Sequence, residues 1–125
     1  MTMKFLVINA KERKITVEEF DKRPTLADLY IMLDCDCIDI TERKIGDEWF
    51  NITCDDEGLL KANPIMSASS LTNPNDILVG NLLFSDYDDE GEEIGLTDTR
   101  IEFLKKHIKF FTDKNGIEFP LLLMD

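Results

Sequence analysis

The chain has 125 residues, within the usual span of one domain, so a single domain over residues 1–125 is expected. With 43% hydrophobic and 32% charged residues it lies in the range of folded proteins, which excludes a long disordered tract or a collagen-like repeat, and no apolar run approaches the ~20 residues of a membrane helix. There are 26 acidic against 14 basic side chains, a net charge of −12, so nucleic-acid phosphates and anionic lipid are repelled, and neither direct nucleic-acid nor membrane binding is expected.

Residues 3–8 are short and almost wholly apolar, as in a strand covered on both faces. Ile15 and Val17 then alternate with Lys14, Thr16 and Glu18, which predicts a hairpin turning around residues 10–13. One basic residue and no small-residue cleavage pattern accompany this apolar start, which argues against a secretory signal and for a cytoplasmic protein. Thr25 with Asp28 makes a cap-like start, and Leu26, Leu29, Tyr30 and Leu33 recur at helical spacing, predicting an amphipathic helix over residues 25–33. Residues 37–42 and 49–54 alternate at period two around the turn Lys44-Ile45-Gly46-Asp47, which predicts a second hairpin.

Asn63-Pro64 and Asn73-Pro74-Asn75-Asp76 punctuate a loop-rich stretch, residues 59–76, to which the pattern assigns no local structure. Residues 77–84 read as one long strand, with Gly80 as a bulge or close-packing point, ending in an acidic turn over residues 86–93. Thr97 caps a helix expected over residues 98–110, with Ile101, Leu104, Ile108 and Phe111 on one stripe. Asp98 suits the positive end of its dipole, and Lys105, Lys106 and Lys109 the negative end. Asp113-Lys114-Asn115-Gly116 stops it, and the apolar tail, residues 117–124, should add a final strand or an extended arm. The predicted fold is α+β: a mainly antiparallel sheet of about five or six strands covered by two helices, residues 25–33 and 98–110.

Four runs then stand in a familiar order: Asp55-Asp56-Glu57-Gly58-Leu59-Leu60-Lys61-Ala62-Asn63-Pro64, Asp76-Ile77-Leu78-Val79-Gly80-Asn81, Asp89-Glu90-Gly91-Glu92, and Leu96-Thr97-Asp98. Together they resemble a family of small bacterial and phage proteins, domain-of-unknown-function family 3846, over residues 3–108. Where members often carry paired glycines before the third strand, this chain has Asp34-Cys35-Asp36-Cys37. The resemblance implies a compact α+β domain from phage and mobile-element contexts. It implies no activity, no cofactor and no catalytic residue.

The negative charge is concentrated. Residues 34–58 hold nine acids and two bases, residues 86–98 hold seven acids and no base, and the remainder is slightly basic. If the turns after Cys54 and after Phe84 share one end of a sheet, they form a single negative rim that could imitate a phosphate backbone and attract a basic protein partner. The partner-binding candidates are Asp86, Asp88, Asp89, Glu90, Glu92 and Glu93, which add charge without any nearby base. The plainer reading is a solvated surface that keeps the chain soluble.

No metal or other cofactor is expected. Asp86, Asp88 and Glu90 precede Gly91 at the spacing of a calcium loop, but Thr97 stands where a bidentate glutamate is needed, and a strand rather than a helix precedes the turn. Three cysteines make a poor disulfide framework and are read as thiols. On a strand, Cys35 and Cys37 would share a face near Cys54, yet zinc needs a fourth ligand, and the single histidine, His107, falls in an apolar arc and reads as structural. No catalytic residue is assigned, since nothing local supports Cys35 or Cys54 as a nucleophile with His107 as base. Trp49, Tyr30 and the phenylalanines read as core or rim packing, not a stacking platform, and the glycines form no phosphate-binding loop.

The functional reading is a non-enzymatic accessory protein of phage or mobile-element type that binds a basic protein through an acidic rim. The alternative is a small metal-binding protein or enzyme using the acidic turn or the cysteines. A third reading is a structural domain that self-associates through its C-terminal tail.

Overall fold

The computed structural model describes residues 2–61 and 64–125; Asn63 of the expected Asn63-Pro64 break lies outside them. Strands β1 (Met3–Asn9) and β2 (Lys14–Phe20) form the first hairpin, paired from Met3 opposite Phe20 to Asn9 opposite Lys14. Helix α1 (Leu26–Leu33) opens on a reciprocal cap. The Thr25 hydroxyl accepts the Asp28 N–H at 3.1 Å, and the Asp28 carboxylate accepts the Thr25 N–H at 2.9 Å. Strands β3 (Ile38–Ile45) and β4 (Glu48–Asp55) form the second hairpin around Gly46 and Asp47, both at positive φ, as a tight two-residue turn requires.

A short 3-10 turn (Gly58–Leu60) leads to β5 (Met66–Ser70) and β6 (Ile77–Val79). The chain continues through β7 (Leu82–Tyr87), β8 (Glu93–Ile94), α2 (Asp98–Lys106), β9 (Ile108–Thr112) and β10 (Glu118–Met124). The larger sheet runs β2-β1-β7-β4-β3 with β8 paired to the end of β7, six strands and all pairings antiparallel. A second sheet of four strands runs β6-β5-β10-β9, in which β5 and β10 are parallel. The fold is α+β.

Three elements differ from expectation. Residues 77–84 form β6 and β7, which belong to different sheets, because Gly80 at φ +78° turns the chain between them. A Cβ at Gly80 would meet nothing within 4 Å, so the glycine serves the backbone turn and not close packing. The second helix stops at Lys106 instead of residue 110, with His107 as its cap, and Ile108–Thr112 is a strand that pairs with β10. The unassigned stretch contains the 3-10 turn and β5.

Alternation along β1 explains its unbroken apolar run. Leu6 and Ile8 join Phe50, Ile52, Leu82 and Phe84 on one face of the large sheet, packed against Ile101 and Leu104 of α2 and against Ala68, Leu78 and Leu122 of the small sheet. Phe5, Val7 and Leu83 point the other way, to Leu29 and Leu33 of α1. Full burial of each such side chain contributes roughly 1.5–3 kcal/mol. No helix among the described residues is long and apolar enough to cross a membrane.

Candidate functional site

The acidic turns after Cys54 and after Phe84 do not form one rim. In the antiparallel pairing of β4 with β7, Asn51 lies opposite Ser85 and Thr53 opposite Leu83. Each turn follows the C-terminal end of its strand, and antiparallel neighbours carry those ends on opposite sides. Residues 55–58 therefore lie beside the start of β7, and residues 86–93 beside the start of β4. The expectation of a shared rim is corrected on this point.

At the β7–β8 end, three of the six candidates meet bases from distant parts of the chain, which corrects the expectation that they have none nearby. Arg100 of α2 donates to Asp86 from Nε at 3.1 Å, reaches Glu48 at 3.6 Å, and stacks its guanidinium 3.8 Å above the Phe50 ring. Arg23, just before α1, pairs with Glu92 at 3.1 Å and approaches Glu93 to 3.9 Å. Glu93 also accepts the Ser85 hydroxyl at 2.8 Å.

The tip of the turn is different. Asp88 Oδ1 accepts the Glu90 and Glu92 N–H groups at 2.9 and 3.0 Å, and Gly91 at φ +80° closes the turn onto the Asp88 carbonyl. Asp88, Asp89 and Glu90 form no ion pair among the described residues. In the calcium-loop reading, the Asp86 carboxylate is held by Arg100 and one Asp88 oxygen by amides. Among the described residues, no group of three or more His, Cys, Asp or Glu side chains is arranged to hold a metal.

The cysteines separate as well. Cys35 and Cys37 precede β3 instead of lying on a strand, Cys35 buried and Cys37 exposed, so the expected shared face is absent. Burial pushes the Cys54 thiol up to about 11 and also raises Cys35, the reverse of an activated nucleophile. His107 is half-buried, its ring tilted against Phe103 at 4.7 Å and its Nδ1 2.9 Å from the Phe103 carbonyl. A Cβ at Gly46 would come within 2.6 Å of His107 Nε2, so the β3–β4 turn passes close over this ring only because it carries glycine.

At the opposite end, Asp55 is tied to Lys61 at 2.7 Å beside a cavity of about 280 Å³ lined by Ala10, Leu33, Pro64, Ile65 and Gly80. Asn81 braces its wall, accepting the Ala10 N–H at 2.9 Å and donating to the Met32 carbonyl at 3.0 Å.

Of the core and rim positions expected for Trp49, the structure gives it the exposed one. Trp49 is 53% exposed, and Ile40 and Tyr87 are exposed too. Phe50, its neighbour, takes the buried side of the strand, so alternation through β4 carries the signal that Trp49 faces outward.

A family model for a domain of unknown function, DUF3846, matches residues 3–109. No curated protein and no solved structure matches the chain.

Proposed function

The chain belongs to the DUF3846 family, and we propose that it is a non-enzymatic accessory protein of phage or mobile-element type that binds a basic protein at the β7–β8 end of the large sheet. The observation that carries this reading is the contrast within the acidic turn. Arg23 and Arg100 fix its base to α1 and α2, while Asp88, Asp89 and Glu90 stand at its tip without a cation among the described residues. A fixed turn with an unneutralised tip focuses negative potential outward, which steers a basic surface toward it and disfavours acidic ones. The free thiols suit a reducing cytoplasm, where we place it.

The test is an association rate. A protein retained at low salt by the immobilised wild type is purified, and its binding to wild type and to an Asp88→Asn, Asp89→Asn, Glu90→Gln variant is followed across a salt series. The variant should associate several-fold more slowly at low salt and lose most of its salt dependence, since exposed charges are screened beyond ~8 Å at physiological ionic strength. Equal rates with parallel salt slopes would reduce the tip to a solubilising surface.

A further inference from the structure

The α1-facing side of the large sheet is open along part of β3, at the start of β4 and at the end of β7. Strand alternation puts Ile40 and Glu42 of β3, Trp49 of β4 and Tyr87 of β7 on the face that carries Phe5, Val7 and Leu83. On this face Phe5, Val7 and Leu83 are buried with Thr53 and Ser85, and Ile38 packs against the same cluster, while Ile40 is left 56%, Trp49 53% and Tyr87 37% exposed. The Tyr87 hydroxyl donates to the Glu42 carboxylate at 3.2 Å, which lays the tyrosine across β4 from β7 to β3, beside Trp49. An indole and a phenol side by side on a pleated surface are the aromatic anchors typical of an interface hot spot, with Ile40 further along β3, at the level of Thr53 and beyond Glu42. Its charged border is Glu42 on one side and the Asp88, Asp89, Glu90 tip just past Tyr87 on the other. Lys44, opposite Trp49 on β3, is paired with Asp47 at 3.6 Å.

We propose that this face docks an arginine-bearing segment of the basic partner, with a guanidinium stacked on Trp49 and bonded to Glu42. The inference rests on the basic-partner reading and narrows it to one chemistry at one place. A guanidinium is planar and weakly hydrated and presents several N–H donors in a fixed fork, so it can lie flat on an aromatic ring and still bond a carboxylate, whereas a lysine ammonium is a strongly hydrated point charge. The same recognition is already built into the opposite face of the same strands. There Arg100 sits over Phe50, the residue after Trp49, while bonding Asp86, the residue before Tyr87. A second copy of the chain fits less well, because two molecules of charge −12 would bring their acidic tips together.

Trp49 is the single tryptophan of the chain, so intrinsic tryptophan emission reports on this face alone. The probes are a short arginine peptide, a lysine peptide of equal length and a glycine–serine control. The arginine peptide should change the Trp49 emission and bind several-fold more tightly than the lysine peptide, and the control should do neither. With labelled peptides, Trp49→Ala and, independently, Glu42→Gln should remove most of the arginine-over-lysine preference. The Asp88→Asn, Asp89→Asn, Glu90→Gln variant should weaken both peptides alike and keep the preference.

Equal affinity for the two peptides, binding without any change in Trp49 emission, or an unaltered preference in both Trp49→Ala and Glu42→Gln would overturn the assignment of this face. Salt-sensitive association at the acidic tip would survive those results. A peptide-free dimer in sedimentation, with Trp49 emission that changes on dilution, would also overturn it by giving the face to a second copy.

Discussion

On the side of the large sheet turned toward α2, β1, β7 and β4 bury Leu6, Ile8, Leu82, Phe84, Phe50 and Ile52 without remainder. On the side turned toward α1 the same strands bury Phe5, Val7 and Leu83 with the polar Thr53 and Ser85, then leave Trp49 and Tyr87 partly exposed. The difference is one of covering material. Five strands at about 4.8 Å spacing make a surface on the order of 20 Å wide, and one helix with its side chains is roughly 10 Å across. The eight-residue α1 can cover only about half of its face, whereas α2 and a four-stranded sheet together close the other. The open half of the sheet is a consequence of how many elements are available to each side.

The contrast can be broken by measuring stability from the closed face outward. Leu104, fully buried on α2, should cost about 2–5 kcal/mol on substitution by alanine, a large share of the ~5–15 kcal/mol typical of a domain this size. Thr25→Ala removes one arm of the reciprocal cap that holds α1 on the half-covered face, and the denaturant midpoint should reflect a loss of roughly 0.5–2 kcal/mol. Trp49→Ala, on the open half, gives up only the covered part of the indole and should cost roughly 1 kcal/mol, below Leu104→Ala. If chemical denaturation gave Leu104→Ala and Trp49→Ala similar losses, the two faces would not differ as described.

Local signals in the sequence proved informative. Both hairpins and the start of each helix depend on neighbours within a few residues, such as the Thr25–Asp28 pair and the Thr97 hydroxyl that accepts the Arg100 N–H. The end of α2 was hidden because Ile101, Leu104, Ile108 and Phe111 keep helical spacing straight through the change to β9, with no glycine or proline to mark it. Strand β5, Met66-Ser67-Ala68-Ser69-Ser70, has no β-branched or aromatic residue and holds its place through β6 and β10.

The candidate site was legible only in part. The acidic turn is visible as a run of carboxylates, but Arg23 and Arg100, which neutralise its base, arrive from other elements. The separation of the two acidic turns follows from strand order, which no local pattern encodes. Trp49 and Tyr87 meet on one face only because β7 inserts beside β4.

The small sheet carries a further consequence. Its β5–β6 and β9–β10 hairpins each close locally, and they join along one seam, the parallel ladder that sets Ala68 opposite Leu122 and Ser70 opposite Met124. Partners on that seam are more than fifty residues apart in sequence, so it has the largest loop-closure cost in the sheet and is expected to close after the two hairpins. Until it shuts, the face carrying Phe50, Ile52 and Phe84 lacks part of its cover, and the timing of the seam sets how long the apolar interior of a nascent molecule stays within reach of its neighbours.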